Sequence, residues 1–249
     1  MTLRNWKSFR LTAAIEVVAA VALSLAGSMA DAQSLSVLPV NVFMQPGQKA
    51  ATLSVKNSGQ KPTSIQVRVY DWSQKDDDEQ LTPSNIVVAS PPLATIAPGS
   101  SQVVRLILRQ PPAGREATYR MVLDQIPGAG EPGVVQMVLR LSIPIFAMPA
   151  TKAAPQVQFH LERNGDKLFL VGVNSGLSHQ TVRNIVVTAT DGHKMSAYSK
   201  ASPYVLAGVT RRWELDAQAY APQPGEILKL TADGIAATIN EHVGVTSAP

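Results

Sequence analysis

Few side chains in this chain have the type and spacing that catalysis or ligand binding would need. Residues 128–133 read Gly-Ala-Gly-Glu-Pro-Gly, which matches the G-x-G-x-x-G loop of dinucleotide sites. Such a site needs a helix directly after the loop, whereas Pro132 and a strand-like run follow here. We therefore interpret the glycines as a hairpin loop, and we expect no small-molecule substrate and no cofactor.

Metal chemistry and acyl transfer are also disfavoured. The chain has no cysteine, which removes thiol nucleophiles, thiolate zinc sites and disulfides, and it has no G-x-S-x-G elbow. None of the histidines has the spacing of a metal site, and we predict that each is a surface or loop residue. These histidines are His160, His179, His193 and His242. We predict that the protein is not an enzyme.

The amino terminus and the charge balance indicate a secreted protein that does not bind nucleic acid. A basic stretch, an apolar run over residues 11–29 and the small residues Ala30 and Ala32 predict a cleaved signal peptide at residues 1–32. The alternative, a membrane anchor, is disfavoured because the run is short and Glu16 interrupts it. The net charge of +4 is spread along the chain, whereas nucleic-acid binders concentrate theirs.

The elements that would position any site are strands. Apolar and polar residues alternate with period two in short runs separated by Gly, Pro and Asn turns, which is typical of β-sandwiches. Residues 149–155 have linker composition. We therefore predict an all-β protein with two tandem immunoglobulin-like β-sandwich domains, at residues 33–149 and 150–249. We expect Trp72 to pack in a core or at its rim, and acidic residues 76–79 to form a solvated hairpin loop.

The strand-like run at residues 134–146 is longer than the usual five or six residues. Val135, Met137, Leu139 and Leu141 fall on one face of it, because side chains alternate along a strand. These four side chains either fill the core of their own domain or bind another molecule. The alternation leaves both interpretations open.

Ten segments of the first domain form a series that resembles a known family. In order they read VNV (40–42), ATLSVKN (51–57), IQVRVYDWSQ (65–74), LTPS (81–84), SPP (90–92), IAPG (96–99), QVVRL (102–106), YR (119–120), QIP (125–127) and SIPIF (142–146). The series is similar to the PapD-like periplasmic pili assembly chaperones, in detail to the archaic branch that serves Csu and spore-coat-U-type pili. The resemblance covers residues 35–149 well and the second domain in outline.

The resemblance implies a periplasmic chaperone that binds pilus subunits and passes them to an outer-membrane usher. In such chaperones the last strand of the first domain is inserted into a subunit that lacks its own final strand. Val135, Met137, Leu139 and Leu141 would be the side chains that enter the subunit. Because an exposed edge strand invites self-association, the unloaded protein is expected to cap its own edge by dimerising.

The resemblance also implies a basic pair that binds the carboxyl terminus of the subunit, but Asn41 and Pro144 stand at the usual basic positions. We predict Arg120 as the first candidate for this anchor and Arg140 as the second. The planar fork of an arginine can bind a carboxylate with two parallel hydrogen bonds. Arg120 is expected to point away from the face that carries Tyr119.

The ionic cluster that joins the two domains in this family looks incomplete in this chain. Gln125 and Met148 stand where an acid and an arginine are expected, and Asp233 retains the third position.

Two other functions are weighed against the chaperone. A tandem immunoglobulin-like structural subunit or adhesin is disfavoured because no donor extension precedes the first strand and cysteine is absent. An extracellular hydrolase lacks a catalytic set.

Overall fold

The computed structural model describes residues 35–128, 137–151, 153–197, 202–217, 220 and 222–247. Every helix or strand that it assigns in these residues is a β-strand, so the predicted all-β class is confirmed. No helix in this part of the chain is long and apolar enough to cross a membrane. The predicted signal peptide lies outside the described residues.

The first domain is a sandwich of two sheets. Its strands are β1 (Leu35–Leu38), β2 (Val42–Met44), β3 (Ala50–Asn57), β4 (Thr63–Lys75), β5 (Asp78–Pro83), β6 (Val87–Ser90), β7 (Leu93–Ile96), β8 (Ser101–Leu108), β9 (Ala117–Ile126) and β10 (Arg140–Ala147). One sheet has the order β1-β3-β8-β6; the other has the order β2-β10-β9-β4-β5, and β7 pairs with β4. Alternate residues of each strand face inward, so that Val55 and Leu106 meet Met121 and Ile145 in the core.

The second domain is also built from strands alone in its described residues. They are β11 (Val157–Asn164), β12 (Lys167–Asn174), β13 (Gln180–Thr181), β14 (Arg183–Thr188), β15 (Lys194–Ser196), β16 (Tyr204–Val205), β17 (Thr210–Leu215), β18 (Ile227–Asp233) and β19 (Thr238–Ser247). Seven form a sheet of order β15-β14-β18-β19-β11-β12-β17, while β13 pairs with β16. The sheet curls so far that Ala197 bridges to Leu215. The two predicted immunoglobulin-like domains are confirmed, and the boundary at residue 149 stays a prediction.

In the part of the chain that the structure describes, no strand of one domain pairs with a strand of the other, and the domains are joined by side-chain contacts and by a hydrogen bond of 2.9 Å from the Glu116 N–H to the Leu177 carbonyl. Trp72 and Phe146 of the first domain pack with Leu206 of the second, and all three are buried. The Phe146 ring also stacks on the imidazole of His179, with 3.6 Å between ring centroids. Trp72 is thus a packing residue, as predicted, but it packs at the domain junction.

His179 lies in the loop between β12 and β13, as predicted, but it is not a surface residue. Its side chain is 3% exposed, and its Nδ1 lies 2.8 and 2.9 Å from the two carboxylate oxygens of Glu116, which is itself buried. The His179 backbone N–H donates to the same carboxylate. Sequence spacing could not reveal this contact because the two residues belong to different domains. The other three histidines are exposed or half-buried.

The acidic residues 76–79 form an exposed hairpin, as predicted, but they also contact the second domain. They form the turn and first residues of the β4–β5 hairpin, and the carboxylate of Asp77 accepts a hydrogen bond from the Arg212 backbone N–H at 2.8 Å. The Arg211 guanidinium donates to the Asp77 carbonyl. Beside them, the Gln74 amide donates to the Tyr204 carbonyl and accepts from the Leu206 N–H. The hairpin therefore helps to fasten the domains together.

Two residues at the positions of the ionic cluster implied by the resemblance, the substituted Gln125 and the retained Asp233, make other contacts. Gln125 binds the backbone of Leu139 in its own domain, and Asp233 accepts from the Asn184 side chain at 2.6 Å within the second domain. The aromatic stack, the His179–Glu116 pair and the Asp77 turn supply the polar and apolar contacts at the junction.

We predict that His179→Ala lowers the free energy of unfolding by about 3 to 5 kcal/mol, because it leaves the Glu116 carboxylate buried without its imidazole. Urea unfolding followed by circular dichroism measures the change. His242→Ala is the matched control, since His242 is exposed and its removal should change the free energy by at most about 0.5 kcal/mol. A loss under about 1 kcal/mol for His179→Ala would contradict the structural role of the pair.

Candidate functional site

Strand β10 is partly an open edge. It pairs with β9 over its whole length, but its other side pairs with β2 only over Ile145–Ala147. Among the residues that the structure describes, 140–144 therefore have a strand neighbour on one side only. We call residues 140–144 the open edge. Such an edge presents backbone N–H and C=O groups that another strand can bind.

The hydrogen bonds of β9 show which backbone groups point outward at the open edge. The Gln125 N–H donates to the Leu139 carbonyl at 2.9 Å, and alternate residues of an antiparallel strand face the same neighbour. The backbone groups of Leu139, Leu141 and Ile143 thus face β9, while those of Arg140 and Ser142 face outward. Pro144 also faces outward, where its missing N–H breaks no bond within the sheet.

Exposure rises from the inner face of β10 into the residues that precede the strand. Ile145 is 0% exposed and Ile143 4%; Leu141 is half-buried against the core, and before the strand Leu139 is 37% exposed and Met137 88%. Alternation along the chain would place Leu139 and Met137 on the same apolar face, beyond the domain's own core. Of the predicted donor residues, Leu141 is already partly used by that core. Val135 lies outside the described residues.

Arg120 lies at the junction end of this sheet and points away from the core, as predicted, while Tyr119 is buried on the inner face. The Arg120 side chain is 9% exposed. Its guanidinium carbon lies 3.8 Å from the centre of the Trp72 ring, and its Nη2 donates to both carboxylate oxygens of Glu79 at 3.0 and 3.2 Å. The charge of Arg120 is thus stabilised by an aromatic face and a carboxylate.

The two positions where the family carries basic residues lie beside Arg120. Pro144 is its cross-strand partner, so their side chains project from the same face about 5 Å apart. Asn41 directly precedes β2, and its side chain accepts a hydrogen bond from the Tyr204 hydroxyl at 3.3 Å. Burial raises the pKa of Tyr204, although the Arg120 charge opposes that rise. The structure therefore places a cation next to the usual anchor positions, on a different strand.

Arg140 lies elsewhere. Its cross-strand partner is Asp124, four residues from Arg120 along β9, or roughly 13 Å. The Asp124 carboxylate forms ion pairs with both Arg140 and Arg68. Burial acts to raise the pKa of Asp124, but the hydrogen bonds from the two arginines outweigh it and lower the pKa. The structure does not bring Arg140 together with Arg120.

Glu79 and Tyr204 are the site residues that sequence analysis missed. Glu79 sits opposite Gln74 in the β4–β5 hairpin and reaches across β4 to Arg120. Its position depends on a two-residue turn formed by Asp76 and Asp77, both with positive φ. Asp-Asp is not a common pair for such turns, so the hairpin register could not be read from the sequence. No group of three or more potential metal ligands occurs in the described residues.

Comparison with known proteins finds similar sequences among pili-assembly chaperones. Residues 34–153 match the family model described as pili and flagellar-assembly chaperone, PapD N-terminal domain. The chaperone protein FimB/FhaD of Bordetella pertussis is 27% identical over 167 residues, which are 59% of this chain and 67% of that protein.

Solved structures share the fold of both domains. A chain of the CsuC–CsuE chaperone–tip adhesion subunit pre-assembly complex, from archaic chaperone-usher Csu pili of Acinetobacter baumannii, matches with a TM-score of 0.63 and 20% identity. That match covers 87% of this chain and 100% of that one. A chain of the SafA pilin–SafB chaperone complex of Salmonella enterica matches with a TM-score of 0.60 and 16% identity. That match covers 86% of this chain and 97% of that one. The N-terminal domain of this chain is therefore similar in sequence to the PapD pili-assembly chaperones, and both domains share the fold of solved chaperones.

Proposed function

We propose that this protein is a periplasmic chaperone that holds incompletely folded pilus subunits by lending them β10, and that it delivers them to an outer-membrane usher. The observation that carries the proposal is the open edge, together with the apolar side chains of Leu139 and Met137, which directly precede it and are 37% and 88% exposed. An apolar face without a covering sheet, on a strand with unpaired backbone groups, suits a partner that lacks one strand.

The physical basis is strand addition, for which chaperone–pilin pairs are an established example. The outward backbone groups of Arg140 and Ser142 would bond to an exposed strand of the subunit. Met137 and Leu139 would fill its open groove, and Leu141 would close the gap between that groove and the chaperone's own core. The chaperone and the subunit would together form one continuous sheet across β10, which neither chain forms alone.

The binding energy is moderate. Burying a large apolar side chain contributes about 1.5 to 3 kcal/mol, and Met137 and Leu139 are 88% and 37% exposed. Together they would contribute about 2 to 4 kcal/mol, to which Val135 and the backbone hydrogen bonds add. A complex of this strength can hold a subunit and still release it when another donor strand competes.

Arg120 is the proposed anchor for the carboxyl terminus of the subunit. It is cationic, lies in the cleft where Asn41 and Pro144 replace the usual basic pair, and is held rigidly against Trp72. A carboxylate at Arg120 would fix the register of the subunit strand along β10, because the distance from the anchor to Leu139 is set by the strand.

Three further parts of the proposal rest on sequence and family. The signal peptide at residues 1–32 would direct the chain to the periplasm, with Gln33 as the first mature residue. Delivery to an usher is proposed from the similarity of residues 34–153 to the PapD N-terminal domain of pili-assembly chaperones. The open edge supports pairing with a second copy when no subunit is bound.

We predict that Leu139→Lys makes a co-purifying pilus subunit dissociate about 10 to 100 times faster, because the ammonium would be buried without a partner in an apolar groove. The measurement is subunit retention on the immobilised chaperone, purified from cells that make the whole pilus system. Val173→Lys is the matched control. Val173 is 36% exposed but lies on β12, which has strand neighbours on both sides. Equal retention by the native chain and a folded Leu139→Lys variant would refute strand donation.

The two candidate anchors can be separated in the same assay. We expect Arg120→Gln to weaken subunit binding about 10-fold to 100-fold, since it removes a charge-assisted hydrogen bond to the carboxylate. Arg140→Gln should leave binding nearly unchanged, because the Arg140 side chain is 70% exposed and binds Asp124. Circular dichroism checks that both variants are folded. A larger loss for Arg140→Gln would transfer the anchor to Arg140.

A further inference from the structure

The guanidinium of Arg120 already holds a carboxylate of its own chain. Glu79 lies on β5, on the far side of β4 from Arg120, and both its oxygens contact the Nη2 of Arg120. The ligand class proposed for Arg120, a carboxylate, is therefore the same as the group that occupies it in the unloaded protein.

The ion pair with Glu79 does not use the strongest hydrogen-bonding geometry that the Arg120 guanidinium offers. An arginine binds a carboxylate most strongly when two of its nitrogens each bond to one oxygen. Glu79 uses one nitrogen for both oxygens, while the Nε of Arg120 is buried and has no hydrogen-bond partner. A buried donor without an acceptor costs free energy. A second carboxylate that reached both Nε and Nη2 would bind Arg120 better than Glu79 does.

Glu79 can leave at little cost. Its side chain is 30% exposed, and all six residues of β5 are exposed at the outer edge of the sheet. Rotation of the Glu79 side chain into water would need no movement of the core. The hairpin itself would stay in place, because Asp77 is bound to the second domain through the Arg212 N–H.

We infer that Glu79 is an internal competitor that occupies Arg120 in the unloaded chaperone and is displaced by the carboxyl terminus of a bound subunit. The inference rests on the proposed function and adds a regulatory contact to it. Glu79 keeps the buried cation neutralised, so any carboxylate must displace it, and a ligand that also brings a strand for β10 does so most readily. The apparent affinity of Arg120 for a ligand carboxylate is therefore proportional to the fraction of molecules in which Glu79 has left Arg120.

A test without a subunit uses N-acetylglycine as the carboxylate probe and N-acetylglycinamide as its neutral analogue. The Nε–H resonance of Arg120, assigned by its absence in Arg120→Gln, reports binding to the mature protein. We expect Glu79→Gln to bind N-acetylglycine about tenfold more tightly than the native chain, with no effect of the amide. Asp78→Asn removes one charge from the same hairpin but lies on the opposite face of β5, so it should match the native chain.

Equal affinity of the native chain and Glu79→Gln for the probe would overturn the inference, as would an equal gain in Asp78→Asn. The second arm compares a co-purified subunit with the same subunit carrying a carboxamide terminus. Glu79→Gln should increase the preference for the free carboxylate about tenfold. If Leu139→Lys abolishes binding but Glu79→Gln leaves this preference unchanged, strand donation stands and the internal competitor is wrong. If the native chain retains no subunit, the proposed function itself fails, and the probe alone decides whether Glu79 blocks Arg120.

Discussion

Strand β10 must complete the core of its own domain at one end and leave an edge open at the other. Its last three residues are held between β2 and β9, and the residues before them have a neighbour on one side only. Because one face of the strand serves both ends, the apolar side chains that leave the core at Ile143 continue outward to Met137. An open apolar edge also risks indiscriminate pairing. The charged Arg140 and the Pro144 without an N–H restrict which strands can bind there.

A second constraint is the burial of a cation at the junction end of the same sheet. A guanidinium that is almost withdrawn from water must be paired, and Arg120 is placed between the Trp72 ring and the Glu79 carboxylate. Trp72 in turn packs against Phe146, two residues beyond Pro144 on β10. Arg120, β10 and the domain junction therefore share side chains. A subunit that binds the edge and the cleft together would contact one connected cluster.

The junction is held by contacts other than the ionic cluster that the sequence resemblance implies. Its polar contacts include the buried His179–Glu116 pair, the Asp77 turn and the Gln74 amide, and its apolar centre is the stack of Phe146 on His179. Gln125, which stands where the resemblance implies an acid, donates its backbone N–H to the Leu139 carbonyl and accepts from the Leu139 N–H through its side-chain oxygen. This residue therefore holds the segment that leads into β10.

By itself, the sequence determined the class of structure and one face of the site. Two sandwiches were predicted from period-two alternation, from Gly and Pro turns and from the absence of cysteine. A shared apolar face from Met137 to Leu141 was predicted because side chains of a strand must alternate. The ordered segments predicted the family. Alternation says nothing about which neighbours a strand has, so only the tertiary structure decided that the edge is open and that Leu141 is half-buried. Likewise, the contacts of Arg120 with Glu79 and of His179 with Glu116 join residues far apart in the chain. They depend on a hairpin register and a domain contact that local sequence does not encode.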